Sequence, residues 1–314
     1  MNRVALIVNP RSGGGRTAAA LPAIVAAARD VFSDVVVCVT SRPREAGELA
    51  AQAVLDGAEL VVAVGGDGTA HEVVDGLIRR LPPDVPSVFS VVPAGTGCDL
   101  ARTLGIPKDP VAAMQLIARS SPRRVDALWA RFDVGGRVAE EAAINIAGFG
   151  INGEVVRRAN ASSKRLGGRL TFLLATLQAL ASWRGVEVTV TWDGPAGPGQ
   201  WRGVLSAGFL CNAQWCGGGI LAGPKATMED GVADLVVIPD QPVWTSLIHT
   251  RRLYDGTLHD MPGVLSARVF WVEVVADRGD AVRVDLDGEQ PGSLPLRIDV
   301  LPGRLSVRAP FAYT

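Results

Sequence analysis

Leu60-Val61-Val62-Ala63-Val64-Gly65-Gly66-Asp67-Gly68-Thr69 decides how the rest of the chain is read. Its first five residues are an apolar run that reads as a fully buried strand. After it, His71-Glu72-Val73-Val74-Asp75-Gly76-Leu77-Ile78 places apolar residues at helical spacing. Glycines between a strand and a helix let backbone N–H groups approach a phosphate without side-chain obstruction. The helix N-terminus adds partial positive charge at the same point. Thr69 and Glu72 have the spacing of a capping box, which predicts a helix start at that threonine. Asp67 would repel a bare phosphate, but it suits a loop that also meets a cation such as Mg²⁺ on a nucleotide. Taken alone, the loop is also readable as a tight strand-to-helix turn with no ligand.

On either side of this stretch the first 125 residues alternate strand and helix patterns. The pairs run Arg3–Val8 with Thr17–Asp30, Asp34–Val39 with Pro43–Leu55, and Leu60–Val64 with Ala70–Arg80. Ser87–Val92 then leads to Gly95–Leu104, and Pro110–Arg119 reads as a further helix. This order predicts a Rossmann-like parallel sheet with helices on both faces. Ligands of such sheets bind beyond the carboxyl ends of the strands. Three glycine-containing loops follow three of those ends, at Asn9–Gly15, Gly65–Thr69 and Pro93–Gly97. In the first, Ser12 and the glycines can donate to phosphate oxygens while Arg16 offsets charge. In the third, Thr96 offers a hydroxyl, and Asp99 could cap the next helix or hold a substrate hydroxyl.

From about Asp126 the pattern changes to short alternating runs separated by Gly, Pro and Asp turns. They are Val125–Phe132, Val138–Ile146, Val186–Trp192, Gly203–Leu210, Asp234–Ile238, Val269–Val275, Val282–Leu286 and Leu296–Val300. An antiparallel sandwich or barrel is predicted, with helical insertions at Leu166–Ala181 and around Val243–Tyr254. Near its end, Asp285, Asp287 and Glu289 would share one side if the strand alternated through them. Such carboxylates suit Mg²⁺ coordination and deprotonation of a hydroxyl, although Asp-Gly is also an ordinary turn pair.

Composition narrows the options. The 314 residues suit two domains, and 48% apolar content argues against disorder. A net charge of −1 supplies no basic field for nucleic acid. Cys38, Cys98, Cys211 and Cys216 form no CxxC pair, so buried reduced thiols are expected rather than a zinc site. The first apolar run, Val4–Val8, is too short for a signal-peptide core, and Leu170–Ala181 is too short to span a bilayer. The expectation is a cytoplasmic protein. Arg157, Arg158, Lys164, Arg165 and Arg169 form a basic cluster that could meet anionic headgroups at a membrane surface or simply face solvent.

In order along the chain, these motifs resemble the diacylglycerol kinase catalytic-domain family of lipid kinases. The resemblance rests on Asn9-Pro10 with Ser12-Gly13, Gly65–Thr69 with Glu72-Val73-Val74, and Pro93 with Gly95-Thr96 and Asp99-Leu100-Ala101. It continues through Asn145, Gly148–Gly150, Asn212 and Gly217-Gly218-Gly219 to Pro224-Lys225-Ala226, Asp230-Gly231 and Asp287-Gly288-Glu289. It implies a nucleotide domain of the phosphofructokinase and NAD-kinase type over residues 1–125 and a β-sandwich lipid-substrate domain over 126–300, with the C-terminal strand, residues 301–314, returning to the first. By resemblance, ATP contacts fall on Asn9, Pro10, Arg11, Ser12, Gly13, Thr40, Gly65, Gly66, Asp67, Gly68, Thr69, Ala70, His71 and Thr96. Glu289 matches the proton acceptor, with Asp287 beside it. A structural Mg²⁺ would take the carbonyls of Thr227 and Val232 and the carboxylate of Asp230. Cys98 stands where many relatives have Asn, and His71 where many bacterial members have Asn. The implied reaction is ATP- and Mg²⁺-dependent phosphorylation of a lipid hydroxyl, diacylglycerol first and sphingoid bases next. An NAD kinase and a catalytically silent regulator are the rivals. Peripheral membrane contact is expected, and a homodimer is left open.

Overall fold

β1 (Arg3–Val8), β2 (Asp34–Val39), β3 (Leu60–Gly65) and β4 (Val88–Pro93) form a parallel sheet in the lateral order β4-β3-β1-β2. The computed structural model describes residues 3–95, 97–161, 168–242, 245, 251–277 and 282–312, with side chains described at all of these except 160 and 168–173. The chain divides into two units, Met1–Val125 with Gly303–Thr314, and Asp126–Pro302.

In the first unit every residue of β3 is buried, as its unbroken apolar run predicts for a central strand covered on both faces. The edge strand β2 is only partly covered. The helices are α1 (Arg16–Val31), α2 (Ala46–Leu55), α3 (Asp67–Arg80), α4 (Asp99–Thr103) and α5 (Pro110–Arg119). α2 and α3 meet at backbone contact, where a Cβ on Gly76 would lie 2.4 Å from the Gly47 Cα. The C-terminal strand (Ser293–Arg308) adds its last residues to this sheet, Ser306 opposite Val88 and Val307 opposite Phe89. Ser90 Oγ donates to Arg308 O at 2.7 Å, and Arg308 Nε to Ser120 O at 2.7 Å.

The start of α3 corrects the capping-box expectation. Gly66 is the N-cap, and its carbonyl accepts from Thr69 N at 3.0 Å and Ala70 N at 3.1 Å. Glu72 serves the neighbouring helix instead. Its carboxylate accepts from Arg44 N at 3.2 Å and Ala46 N at 3.1 Å, satisfying donors at the head of α2.

The second unit is antiparallel. Its elements are β5 (Pro122–Val134), β6 (Arg137–Ala143), β7 (Ile146–Gly150), α6 (Ile151–Ala161), α7 (Gly168–Ser182), β8 (Val186–Asp193) and β9 (Gly199–Cys211). A small hairpin of β10 (Trp215–Cys216) and β11 (Ile220–Leu221) follows. Then come β12 (Ala233–Pro239), β13 (Leu265–Val269), β14 (Trp271–Ala276), β15 (Val284–Leu286) and β16, the C-terminal strand. The pairing order is β13-β12-β9-β8-β14-β16, with β7 on the second half of β9 and β15 on β7. Alternation is clear on β8, β14 and β16, where Val188, Val190, Val272, Val274, Leu296 and Ile298 point into one core with Leu128, Phe132 and Phe149. Each such side chain contributes roughly 1.5–3 kcal/mol by leaving water.

Three differences from the sequence reading have local causes. The run Val138–Ile146 is two strands, because the backbone N–H groups of Ile144, Asn145 and Ile146 turn to one carboxylate, that of Asp287. Val269–Val275 breaks at Phe270, whose N–H donates to Asp193 O at 2.7 Å. The helix α6 was not anticipated; its polar composition masks the buried Ile151, Val155 and Val156. Of the expected helix around Val243–Tyr254, residues 243–244 and 246–250 lie outside the described residues, and a single turn, Arg252–Asp255, is present.

Candidate active site

In the first unit three loops leave the carboxyl ends of β1, β3 and β4 and are tied to one another. Asn9 N donates to Val64 O at 3.1 Å, while Ala94 N and Gly95 N donate to Gly65 O at 2.8 and 3.0 Å. Thr17, fully buried at the head of α1, bonds Ser12 Oγ and donates to Ala94 O at 3.2 Å. Arg11 N is held by Asn9 Oδ1 at 3.0 Å, and Arg16 Nε donates to Gly13 O at 2.9 Å while its side chain stays exposed. Thr40 N donates to Val8 O at 2.9 Å at the end of β2. Gly13, Gly14 and Gly15 all have positive φ, from 61° to 91°, a conformation only glycine adopts without strain three times in succession. Thr17 carried no signal in the sequence reading, although a hydroxyl in the first turn after a glycine run is a recognisable anchor.

The glycines after β3 do different things. A Cβ on Gly65 would lie 2.4 Å from Thr69 Oγ1, so that glycine is a packing requirement. A Cβ on Gly66 meets only the Gly95 Cα at 3.5 Å, which leaves its backbone approachable. Asp67 Oδ2 accepts from Cys98 N at 2.7 Å and Oδ1 from Leu100 N at 3.3 Å. Asp99 is nearly buried and pairs with Arg102 at 3.5 Å. Thr69, Ala70 and His71 are buried in α3, so their side chains belong to the interior rather than to the loop surface. Thr96 lies outside the described residues. Cys98 has a φ of +60°, and burial, then Asp67, push its thiol up to about 12, which keeps it a neutral thiol.

The carboxylates of the second unit also separate by role. The strand ends at Leu286, and Asp287-Gly288, with φ of 52° and 90°, make the two-residue turn that joins Leu286 to Glu289. The expected alternation of Asp285, Asp287 and Glu289 on one face therefore does not occur. Asp285 Oδ1 accepts from Gly288 N at 2.8 Å across the turn. The buried Asp287 carboxylate accepts three backbone N–H groups, from Ile144 at 3.0 Å, Asn145 at 2.9 Å and Ile146 at 3.0 Å. Glu289, just past the turn, is partly exposed. Asn145 and Asn212 brace this corner from below: Asn145 Nδ2 donates to Trp215 O at 2.8 Å, and Asn212 Nδ2 to Ile144 O at 2.6 Å.

Asp230 carries Arg268 as an ion pair, and also accepts from Thr227 Oγ1 at 2.6 Å and Val232 N at 3.3 Å. One carboxylate and two carbonyls are oxygen donors of the type a hard cation takes, and a metal here would share Asp230 with Arg268. Of the basic cluster, Arg157 and Arg158 both engage Glu154. Lys164 and Arg165 lie outside the described residues, as does the side chain of Arg169. The four cysteines are free thiols. Among the described residues no helix is long and apolar enough to cross a membrane.

Comparison with known proteins agrees with the fold of both units. Residues 3–130 match the diacylglycerol kinase catalytic domain, and residues 145–309 match the YegS C-terminal NAD kinase beta sandwich-like domain. A probable lipid kinase YegS-like protein of Stenotrophomonas maltophilia is 30% identical over 87% of this chain and 85% of its own. One from Pseudomonas aeruginosa is 30% identical over 98% of this chain and 95% of its own. A crystal structure of a diacylglycerol kinase from Bacillus anthracis superposes with a TM-score of 0.74 at 21% identity, covering 100% of this chain and 98% of that one. Yeast NADH kinase complexed with NADH superposes at 0.51 with 12% identity, over 98% of this chain and 82% of that one, a likeness of fold.

Proposed function

Because this chain belongs to the YegS-like lipid kinases, with their diacylglycerol kinase catalytic domain, we propose that it transfers the terminal phosphoryl group of ATP to the hydroxyl of diacylglycerol. The observation that carries the nucleotide half is the open backbone at Gly66, set among three loops tied together at the strand ends. The acceptor class is taken from the relatives.

Phosphoryl transfer needs positioning and charge neutralisation more than covalent help. Backbone N–H groups of Gly66, Asp67 and Gly68 and of the Gly13–Gly15 turn hold the phosphates, and the exposed Arg16 guanidinium offsets their charge. Asn9, Pro10, Arg11 and Thr40 shape the rest of the nucleotide cradle, and Asp67 orders its far side through Cys98 and Leu100. Glu289 takes the proton as the lipid oxygen bonds to the γ-phosphorus; the bond to the β-phosphate oxygen breaks and ADP leaves. Asp287 fixes the hairpin that presents Glu289. A divalent cation, when bound, neutralises phosphate charge at Asp67 or steadies the loop held by Thr227, Asp230 and Val232. Membrane contact is peripheral in this reading.

The test is incubation with radiolabelled ATP and Mg²⁺ against diacylglycerol in vesicles, with sphingosine and NAD as parallel acceptors. Label should enter phosphatidic acid. Label on NAD alone would assign an NAD kinase, and tight ATP binding with no acceptor labelled would assign a regulator.

A further inference from the structure

Three guanidinium groups converge on the Glu154 carboxylate in the second unit. Arg157, one turn along α6, places Nη2 and Nε on its two oxygens at 2.6 and 2.9 Å. Arg158 adds Nε at 2.7 Å and extends Nη2 to Ser182 Oγ, at the end of α7, at 2.7 Å. Arg283, on the approach to β15, brings Nε within 3.3 Å of the second oxygen. The backbone enforces this meeting: a Cβ on Gly153 would lie 2.6 Å from the Arg283 Cβ, so only glycine lets the two elements press together.

Among the described residues, three guanidinium groups pair with this one carboxylate. Hydrogen bonds from Arg157, then Arg158, hold the Glu154 carboxyl down at about 2, so it stays ionised through the neutral range. Guanidinium groups gathered at one place can also take a further anion. There is room for one. Glu154, Arg158, Ser182, Trp183 and Arg283 line a cavity of about 240 Å³, several times the roughly 30 Å³ of a liquid water. Arginine presents its N–H donors as a planar fork that matches phosphate oxygens, and Arg158 and Arg283 both line the cavity.

We propose that this cavity is a binding site for a dianionic phosphate, free or as a monoester. The source is either free inorganic phosphate or the phosphorylated headgroup of a lipid; both present the same dianionic oxygens. The proposal rests on the second unit alone and stands whether or not the kinase reading does.

Calorimetric titration of the full chain tests it, with inorganic phosphate, short-chain phosphatidic acid below its micelle concentration, and short-chain phosphatidylcholine as probes. Saturable binding is expected for phosphate or phosphatidic acid and not for phosphatidylcholine. A tighter phosphatidic acid assigns the headgroup; phosphate alone assigns the free ion. Arg283→Gln, at a side chain 44% exposed, should weaken binding by about tenfold or more with an unchanged unfolding midpoint. Gly66→Val should leave this binding intact, which separates it from the nucleotide loop. Glu154→Gln removes the competing anion and should tighten it. No saturable binding of either phosphate compound, equal binding of phosphatidylcholine, or loss with Gly66→Val but not Arg283→Gln would overturn the proposal.

Discussion

The Asp67 carboxylate accepts the backbone N–H of Cys98 at 2.7 Å, so an acidic residue of the loop after β3 fixes the entry of the helix that follows β4. The contact explains two neighbours. A Cβ on Gly97 would lie 2.7 Å from Asp67 Oδ2, so glycine is needed there. Cys98 takes a φ of +60° to aim its N–H, a conformation that Asn tolerates better than Cys.

Asp67→Asn should therefore cost stability before any nucleotide is present. The amide keeps one acceptor and turns a donor toward a backbone N–H, at a cost of about 1–3 kcal/mol. Urea unfolding of the free protein measures this. An unchanged midpoint would mean that the acidic residue is kept for the nucleotide alone.

Gly66→Val and Gly65→Val should separate binding from folding. The first places a side chain in open space beside the loop backbone; the second drives one into Thr69. Gly66→Val should keep its unfolding midpoint and lose ATP affinity by calorimetry, whereas Gly65→Val should lose the fold. Unchanged ATP affinity in Gly66→Val would reduce the loop to a turn.

How much of this was legible depends on how local each cause is. The buried run Leu60–Val64 and the glycines after it announce the parallel sheet and its loop, because strand burial and turn chemistry are written in consecutive residues. The destination of Glu72 is not legible: its spacing suits its own helix, and only tertiary packing brings the head of α2 closer. Asp287 misleads in the same way. Alternation assumes that a strand continues, and here it ends one residue earlier, in a turn whose carboxylate is claimed by amides more than 140 positions away. The long strands β9 and β16 outrun their apolar cores because pairing partners extend them past any alternation.

Glu289→Gln and Asp287→Asn should fail differently. Glu289→Gln should lower kcat by about 10²–10⁴ with ATP binding and stability unchanged, since only proton affinity is removed. Asp287→Asn should lower the unfolding free energy by about 1.5–3 kcal/mol, because buried amides lose a charged acceptor. Full turnover in a folded Glu289→Gln protein would remove that residue from the mechanism.

The last prediction concerns Arg268 and the metal expected at Asp230. A cation held by this carboxylate and the carbonyls of Thr227 and Val232 must contend with the guanidinium already paired to it. The Arg268 side chain is 55% exposed, so its ion pair is worth about 0–1 kcal/mol, and Arg268→Gln should fold normally. Removing it takes the competing cation from Asp230, which keeps its hydrogen bonds from Thr227 and Val232. Ligand that binds only the native state raises the unfolding midpoint with concentration. Added Mg²⁺ should therefore raise the midpoint of Arg268→Gln more than that of the unaltered protein, and the gain should vanish when Asp230→Asn is added. A Mg²⁺-dependent rise that is the same with and without Arg268 would show that the two cations do not compete, and a rise that survives Asp230→Asn would place the metal elsewhere.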